Sequence, residues 1–272
     1  MLRRPIELVP ATVRDLAVLA PIHHRAFAPT AATRYIYANV VPAPAVQEAY
    51  FHLCFGYVLA SAQARRDGGS VMTVARQGNQ TLGFAWSTRE PGAQSQGPAA
   101  NNQPLPGPNI PGADPIRVRE FYGTLQQYSH SIPFAHWSKP DSFSLIAHVV
   151  GAQLIQSNSD LQTISVDPAV QGAGVGKRLL RSVMEKAASE GLPVMLESEE
   201  GEPRATQTVW ASLDSPESAE KLALYQTAGF EICGEALVAA QDSTVKVCTL
   251  TCPPSIFFWS NDGQSFRASN GP

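Results

Sequence analysis

Charge is scarce in this chain: Asp, Glu, Lys and Arg make up 16% of its 272 residues. The net charge of −3 shows no excess of Lys and Arg, which argues against a nucleic-acid-binding surface. Long hydrophobic runs are missing too, and none approaches the roughly 18 residues that a membrane span requires. The basic opening Leu2-Arg3-Arg4-Pro5 has no apolar core behind it and does not read as a secretory leader. Cysteine is limited to Cys54, Cys233, Cys248 and Cys252, without C-x-x-C spacing or a compact framework. Reduced thiols and no metal site are therefore expected. These absences point to a cytoplasmic protein, the nucleus left open, with no membrane and no nucleic-acid partner.

Proline and glycine are plentiful but clustered. Glu90 to Pro115 is almost entirely Pro, Gly, Ala, Asn and Gln, so it cannot bury enough apolar surface to offset its ordering entropy. It reads as a mobile insertion. Upstream, Ile6 to Ala11 reads as a short strand, with Thr12 capping a helix that carries Val13, Leu16, Leu19, Ala20, Ile22, His23, Ala26 and Phe27 and is open to a kink at Pro21. His23 and His24, being adjacent, point to different helix faces; solvated or core-edge roles are expected rather than a paired metal site. Arg34 to Val41 reads as a loop, Val46 to Arg66 as a second helix, and Val71 to Arg76 with Leu82 to Thr88 as a hairpin around Gly78-Asn79.

After the insertion, Ile116 to His130 has helical spacing. Phe143 to Gln156 reads as a helix capped by Asp141, although Val149, Val150 and Gly151 fit one poorly. Leu161 to Val166 is strand-like, Val175 to Glu190 an amphipathic helix, and Val194 to Glu197 the next strand. The acidic Glu199-Glu200-Gly201-Glu202 is expected to be a solvated loop. A helix from about Glu217 to Ala228, with Pro216 ahead of it, precedes strands at Glu231 to Val238 and Thr244 to Thr251. The expected organisation is one α/β domain over residues 1–252 and a tail at 253–272.

The stretch that carries chemistry is Gln171-Gly172-Ala173-Gly174-Val175-Gly176-Lys177, between that strand and the amphipathic helix. Glycines at a strand-to-helix turn bring backbone N–H groups close to an anion, and the helix N-terminus adds its positive dipole end. The pattern implies a pyrophosphate cradle. A dinucleotide fingerprint counted from Gly172 puts its last glycine on Lys177. A P-loop has Gln171 in place of its first glycine and Arg178 in place of its magnesium-binding hydroxyl. A third pattern, Q/R-x-x-G-x-G/A after a strand that ends near Asp-Pro, is matched in full by Gln171, Gly174 and Gly176.

Through that pattern the sequence resembles the GCN5-related N-acetyltransferase (GNAT) superfamily. Thr163-Ile164-Ser165-Val166-Asp167-Pro168 leading into the turn is similar to the family's acetyl-CoA motif. Leu196-Glu197-Ser198 resembles the strand after it, and Leu224-Tyr225-Gln226-Thr227-Ala228-Gly229-Phe230 the family's L-Y-x-x-x-G-F. The resemblance spans roughly residues 161–238.

It implies a mostly antiparallel mixed sheet and acetyl transfer from acetyl-CoA to a small-molecule or peptide amine, by direct attack in a ternary complex. The implied cosubstrate contacts are Gly172, Ala173, Gly174, Val175, Gly176 and Lys177 at the pyrophosphate, with Gln171 in the turn. Ile164, Ser165 and Val166 would lie along the pantetheine arm, with a Val166 backbone donor for the developing oxyanion. Tyr225 is the implied general acid. The family usually carries an Asn seven residues before that tyrosine; Ser218 stands there and takes its place among the contacts. The base is Asp160 or Glu197, left open because Gln162 replaces a carboxylate found in some relatives. No metal is implied. A degenerate CoA-binding domain is the alternative, and the acceptor amine and the oligomeric state are left open.

Overall fold

The computed structural model describes residues 5–38, 40, 42–64, 70–90, 109–131, 142–144, 163–190, 194–200, 223–240 and 243–252. Its strands are β1 (Glu7–Pro10), β2 (Ser70–Gln77), β3 (Gln80–Glu90), β4 (Ser142–Ser144), β5 (Thr163–Val166), β6 (Val194–Glu200), β7 (Glu231–Ala240) and β8 (Ser243–Cys252). Its helices are α1 (Leu16–Phe27), α2 (Ala31–Ile36), α3 (Pro44–Ala64), α4 (Pro115–Ser131) and α5 (Val175–Ser189). A further helical segment covers 223–227.

The strands form one sheet in the order β1-β2-β3-β4-β6-β8-β7, with β5 paired to β3 off that path. Every described pairing is antiparallel except β4 with β6. The mixed, mostly antiparallel α/β architecture expected from the sequence is thus present. β3 positions the site, because one of its edges serves two strands. Its Gly83–Trp86 stretch pairs with β5 and its Thr88–Glu90 stretch with β4.

Side chains alternate along β2 and β3 except at a register shift at Ala75/Arg76, which puts Leu82 and Phe84 on opposite faces, and each face builds its own core. Met72, Val74, Phe84 and Trp86 join α1 to α4 on one face. Ala75, Leu82 and Ala85 meet α5 and the Tyr225–Phe230 segment on the other. The stripe expected of α5 is the one buried: Val175, Leu179, Leu180, Val183, Met184 and Ala187. Each of the larger of these side chains contributes roughly 1.5–3 kcal/mol through removal from water.

Four expectations are corrected. Arg34 to Val41 is not all loop, because α2 runs to Ile36. Thr30 Oγ1 accepts the N–H of Thr33 at its start, and Ala31, Ala32, Tyr35 and Ile36 are buried. Phe143 is not helical but lies in β4, where pairing with β3 and β6 overrides local preference. Glu199 and Glu200 are not loop; they extend β6, opposite Val247 and Lys246 of β8. The 90–115 segment is also shorter as an insertion than expected, since Glu90 belongs to β3 and residues 109–114 are placed. Ile110 is buried there, and the Asp114 carboxylate accepts the N–H groups of Ile116 and Arg117 at the start of α4. Residues 91–108, 145–162, 201–222 and the 253–272 tail lie outside the described residues. Pro21 is accommodated inside a continuous α1.

Candidate functional site

β5 leads directly into the glycine-rich turn. Thr163 and Ser165 are buried, while Ile164 and Val166 lean on the core beneath α5. A close approach between strands fixes where β5 lies. A Cβ built on Gly83 of β3 would sit 2.5 Å from the Ser165 carbonyl oxygen and 3.1 Å from Val166 Cα. Only glycine fits at Gly83. Among the described residues β5 pairs with β3 alone, so its outer edge has no partner strand.

The turn is held by short polar contacts. Asp167 donates its N–H to the Leu82 carbonyl at 2.9 Å, which closes the ladder. Its carboxylate accepts the Ala169 N–H at 3.1 Å, capping a 3-10 turn at Pro168–Val170, and also accepts from Arg25 of α1 at 2.7 Å. The Gln171 amide donates back to the Val166 carbonyl at 3.3 Å, tying the turn to the strand it leaves.

Gly172 and Gly174 both take left-handed backbone conformations, with φ of 77° and 78°. That region costs a residue with a Cβ about 1–2 kcal/mol. A Cβ at either position would meet nothing within 4 Å, so the need for glycine there is conformational and the space beside the turn is open. Gly174 is the N-cap of α5, and the first bond inside the helix runs from Arg178 N–H to Gly174 O at 3.1 Å. The N–H groups of Gly174, Val175 and Gly176 therefore have no intrahelical acceptor and stand at the positive end of the helix dipole. Residues 171–174 and Lys177 are exposed. This is the arrangement that holds a phosphate.

Tyr225 is 6% exposed and shares a core with Val175 and Leu179 of α5 and Leu196 of β6. Its ring lies edge-on to Phe230 at 5.9 Å. The Phe230 N–H bonds the Tyr225 carbonyl at 3.0 Å across a turn in which Gly229 has φ 89°. Burial pushes the Tyr225 phenol well above its ordinary range, so it stays protonated at any working pH. Glu197 lies on β6 opposite Thr249. Asp160 and Ser218 are outside the described residues. The structure thus brings together Ile164 to Val166, Gln171 to Lys177 and, through the α5 core, Tyr225.

Of the two roles expected for the histidine pair, solvated or core-edge, the solvated one is corrected. His23 and His24 are both buried, not solvated. His23 Nδ1 lies 3.1 Å from Ser165 Oγ, and the Ser165 hydroxyl lies 3.3 Å from that of Thr163. His24 Nδ1 bonds the Gln47 side-chain oxygen of α3. Burial holds His23 neutral, with a pKa lowered to about 3, and the adjacent His24 adds to the effect. The sequence does carry a signal for this, because His23 occupies the same helical stripe as Leu16, Leu19, Ala20 and Phe27. Among the described residues no group of three or more His, Cys, Asp or Glu side chains could hold a metal, and no helix is long and apolar enough to cross a membrane.

The acetyltransferase (GNAT) domain model matches residues 140–232. That segment contains β4 to β6, the glycine turn, α5 and Tyr225, so the resemblance to the superfamily holds for the part of the chain that builds the site. No curated protein matches the chain. Solved structures similar to it include histone acetyltransferase HPA2 and related acetyltransferase from Corynebacterium glutamicum, at 18% identity and TM-score 0.48, over 92% of this chain and 96% of that one. An N-acetyltransferase from Staphylococcus aureus aligns at 14% identity and TM-score 0.46, over 92% and 99% of the two chains. The protein yncA from Salmonella typhimurium, solved with its cofactor acetyl-CoA, aligns at 13% identity and TM-score 0.46, over 92% and 94%. Likeness at these scores bears on neither substrate nor mechanism.

Proposed function

We propose that the chain is an N-acetyltransferase that takes its acetyl group from acetyl-CoA and delivers it to a primary amine of a small molecule or peptide. The observation that carries this reading is the turn itself. Two glycines in left-handed conformation open a helix N-terminus directly after a strand whose outer edge, among the described residues, has no partner. Acetyl-CoA supplies an activated thioester, and the chain supplies position and proton handling.

The N–H groups of Gly172, Gly174, Val175 and Gly176 hold the pyrophosphate, with Ala173 bonded to the Val170 carbonyl beneath them, which helps explain the need for left-handed backbone and open space at Gly172 and Gly174. Lys177 and Gln171 complete the contacts around it, and Ser218 is a further cosubstrate contact by its place in the family pattern. The outer edge of β5, from Ile164 to Val166, offers backbone donors and acceptors to the pantetheine amides, much as a sheet edge accepts an added strand. The Val166 N–H stabilises the oxyanion that forms during attack. Tyr225 is the general acid. Its phenol, neutral before the reaction, carries the proton that the departing thiolate takes up. Asp160 or Glu197 accepts the proton lost by the amine.

The test is release of free CoA thiol from acetyl-CoA in the presence of a panel of amines. CoA binding with no release across the panel would instead make this a degenerate CoA-binding domain. A stabilisation by ATP or GTP with magnesium that CoA does not produce would make it a nucleotide-binding one.

A further inference from the structure

We propose that His23 is a positioning residue for the cosubstrate strand, holding β5 so that its outer edge keeps the register that the pantetheine arm requires; this inference rests on the acetyl-CoA reading above. β5 has four residues and, among the described residues, a single ladder partner. One ladder fixes spacing on one side only, so a short strand in this situation can tilt or slide. One face of β5 leans on the α5 core through Ile164 and Val166, and the other is held by α1, which touches the segment at two places with matching steps along the chain. His23 meets Ser165, and Arg25 meets Asp167. The Arg25 contact is 2.7 Å long but its side chain is 47% exposed, so solvent weakens it. The His23 contact is fully buried.

The details suit a fixed strut. The rings of Phe27, Phe51, Phe55 and Phe84 surround the imidazole, with centroids at 4.4, 4.1, 5.4 and 6.4 Å. Together they leave His23 only 2% exposed. Nε2 has no hydrogen-bond partner among the described residues, and Nδ1 is the ring's polar contact with the strand. A ring retained in an apolar cage with one nitrogen unsatisfied carries a cost that a leucine or phenylalanine would not. The hydrogen bond to Ser165 is what the imidazole provides in return. Ser165 in turn meets Thr163, so one polar line runs from α1 along two residues of β5. The residues that alternate with these, Ile164 and Val166, turn their backbone groups to the outer edge, where they are assigned to the cosubstrate.

The test compares His23→Leu, His23→Asn and Ser165→Ala in the full chain, with CoA affinity measured by calorimetric titration and thermal midpoint measured alongside. An asparagine amide reaches the place of Nδ1 and keeps the bond, whereas leucine fills the cage and loses it. The expected result is a CoA dissociation constant raised about tenfold in His23→Leu and in Ser165→Ala, with His23→Asn close to wild type, because a misplaced edge loses paired backbone contacts. Affinity is expected to follow the bond and not the midpoint. Wild-type affinity in a folded His23→Leu or Ser165→Ala overturns the proposal. So does a loss in all three variants that tracks the midpoint, because His23 would then be core packing only. A wild-type chain that does not bind CoA overturns the acetyl-CoA reading first and this inference with it, a result separable from failure of the variants alone.

Discussion

Gly83→Ala tests the geometry of the site without touching any group assigned to chemistry. The new methyl would lie 2.5 Å from the Ser165 carbonyl oxygen, a distance that Cβ atoms essentially never adopt. The obstacle is backbone, with Val166 Cα at 3.1 Å behind it, so no side-chain rotation relieves the clash. β5 must move away from β3 at the Gly83–Val166 pair, loosening the ladder that joins them. Overpacking of this kind typically costs about 1–3 kcal/mol. For a chain of this size each kcal/mol moves the thermal midpoint by about 2–4 °C, so a fall of roughly 5 °C is expected. Because the displaced residues are Ser165 and Val166, CoA affinity should fall together with stability. The control is Gly123→Ala, in α4, where a Cβ meets nothing within 4 Å. Removing a glycine from a helix interior should raise stability by up to about 1 kcal/mol and leave CoA binding unchanged. Differential scanning fluorimetry with and without CoA reads both variants. A Gly83→Ala protein with unchanged midpoint and unchanged CoA affinity would refute the argument that this approach fixes β5.

Other consequences can be measured separately. Gly174→Glu should abolish CoA binding, since it forces a side chain into a left-handed position and sets a negative charge at the helix N-terminus; calorimetric binding equal to wild type would contradict the cradle. Tyr225→Phe should bind CoA normally while turnover falls about 10²-fold or more, read in the thiol-release assay; full turnover would remove Tyr225 as the acid. The pH dependence of stability should carry the mark of His23. Its pKa is about 3 when folded and 6.5 in the reference state, so the unfolded chain takes up the proton first. Stability is therefore whole above about pH 6.5 and declines as pH falls towards 3. The loss between pH 7 and pH 5 is about 2 kcal/mol. His23→Leu should flatten that slope in urea titrations, and an unchanged slope would count against a neutral buried imidazole.

Much of the fold is legible in the sequence because local and tertiary requirements agree. The α5 stripe is buried as its period demands, the Gly78-Asn79 hairpin forms, and Gln171, Gly174 and Gly176 sit where a strand-to-helix turn needs them. Sequence and structure part where contacts far apart in the chain decide the outcome. Phe143 is a strand residue because β3 and β6 flank it, and no local pattern carries that information. α2 has a capping Thr30 that is readable in the sequence, but its six residues are too few for periodicity to register. His23 lies on a legible apolar stripe, yet its partner Ser165 is 142 positions away. Gly83 looks like an ordinary strand glycine until β5 is placed beside it.

The most direct measurement is a thermal melt of the full chain with CoA at millimolar concentration. If the 171–177 turn holds a CoA pyrophosphate, ligand at about 100 times its dissociation constant adds about 2.7 kcal/mol to stability. That corresponds to an upward shift of roughly 5–10 °C, which Gly174→Glu should erase. A wild-type midpoint that CoA and acetyl-CoA leave unmoved would contradict the account.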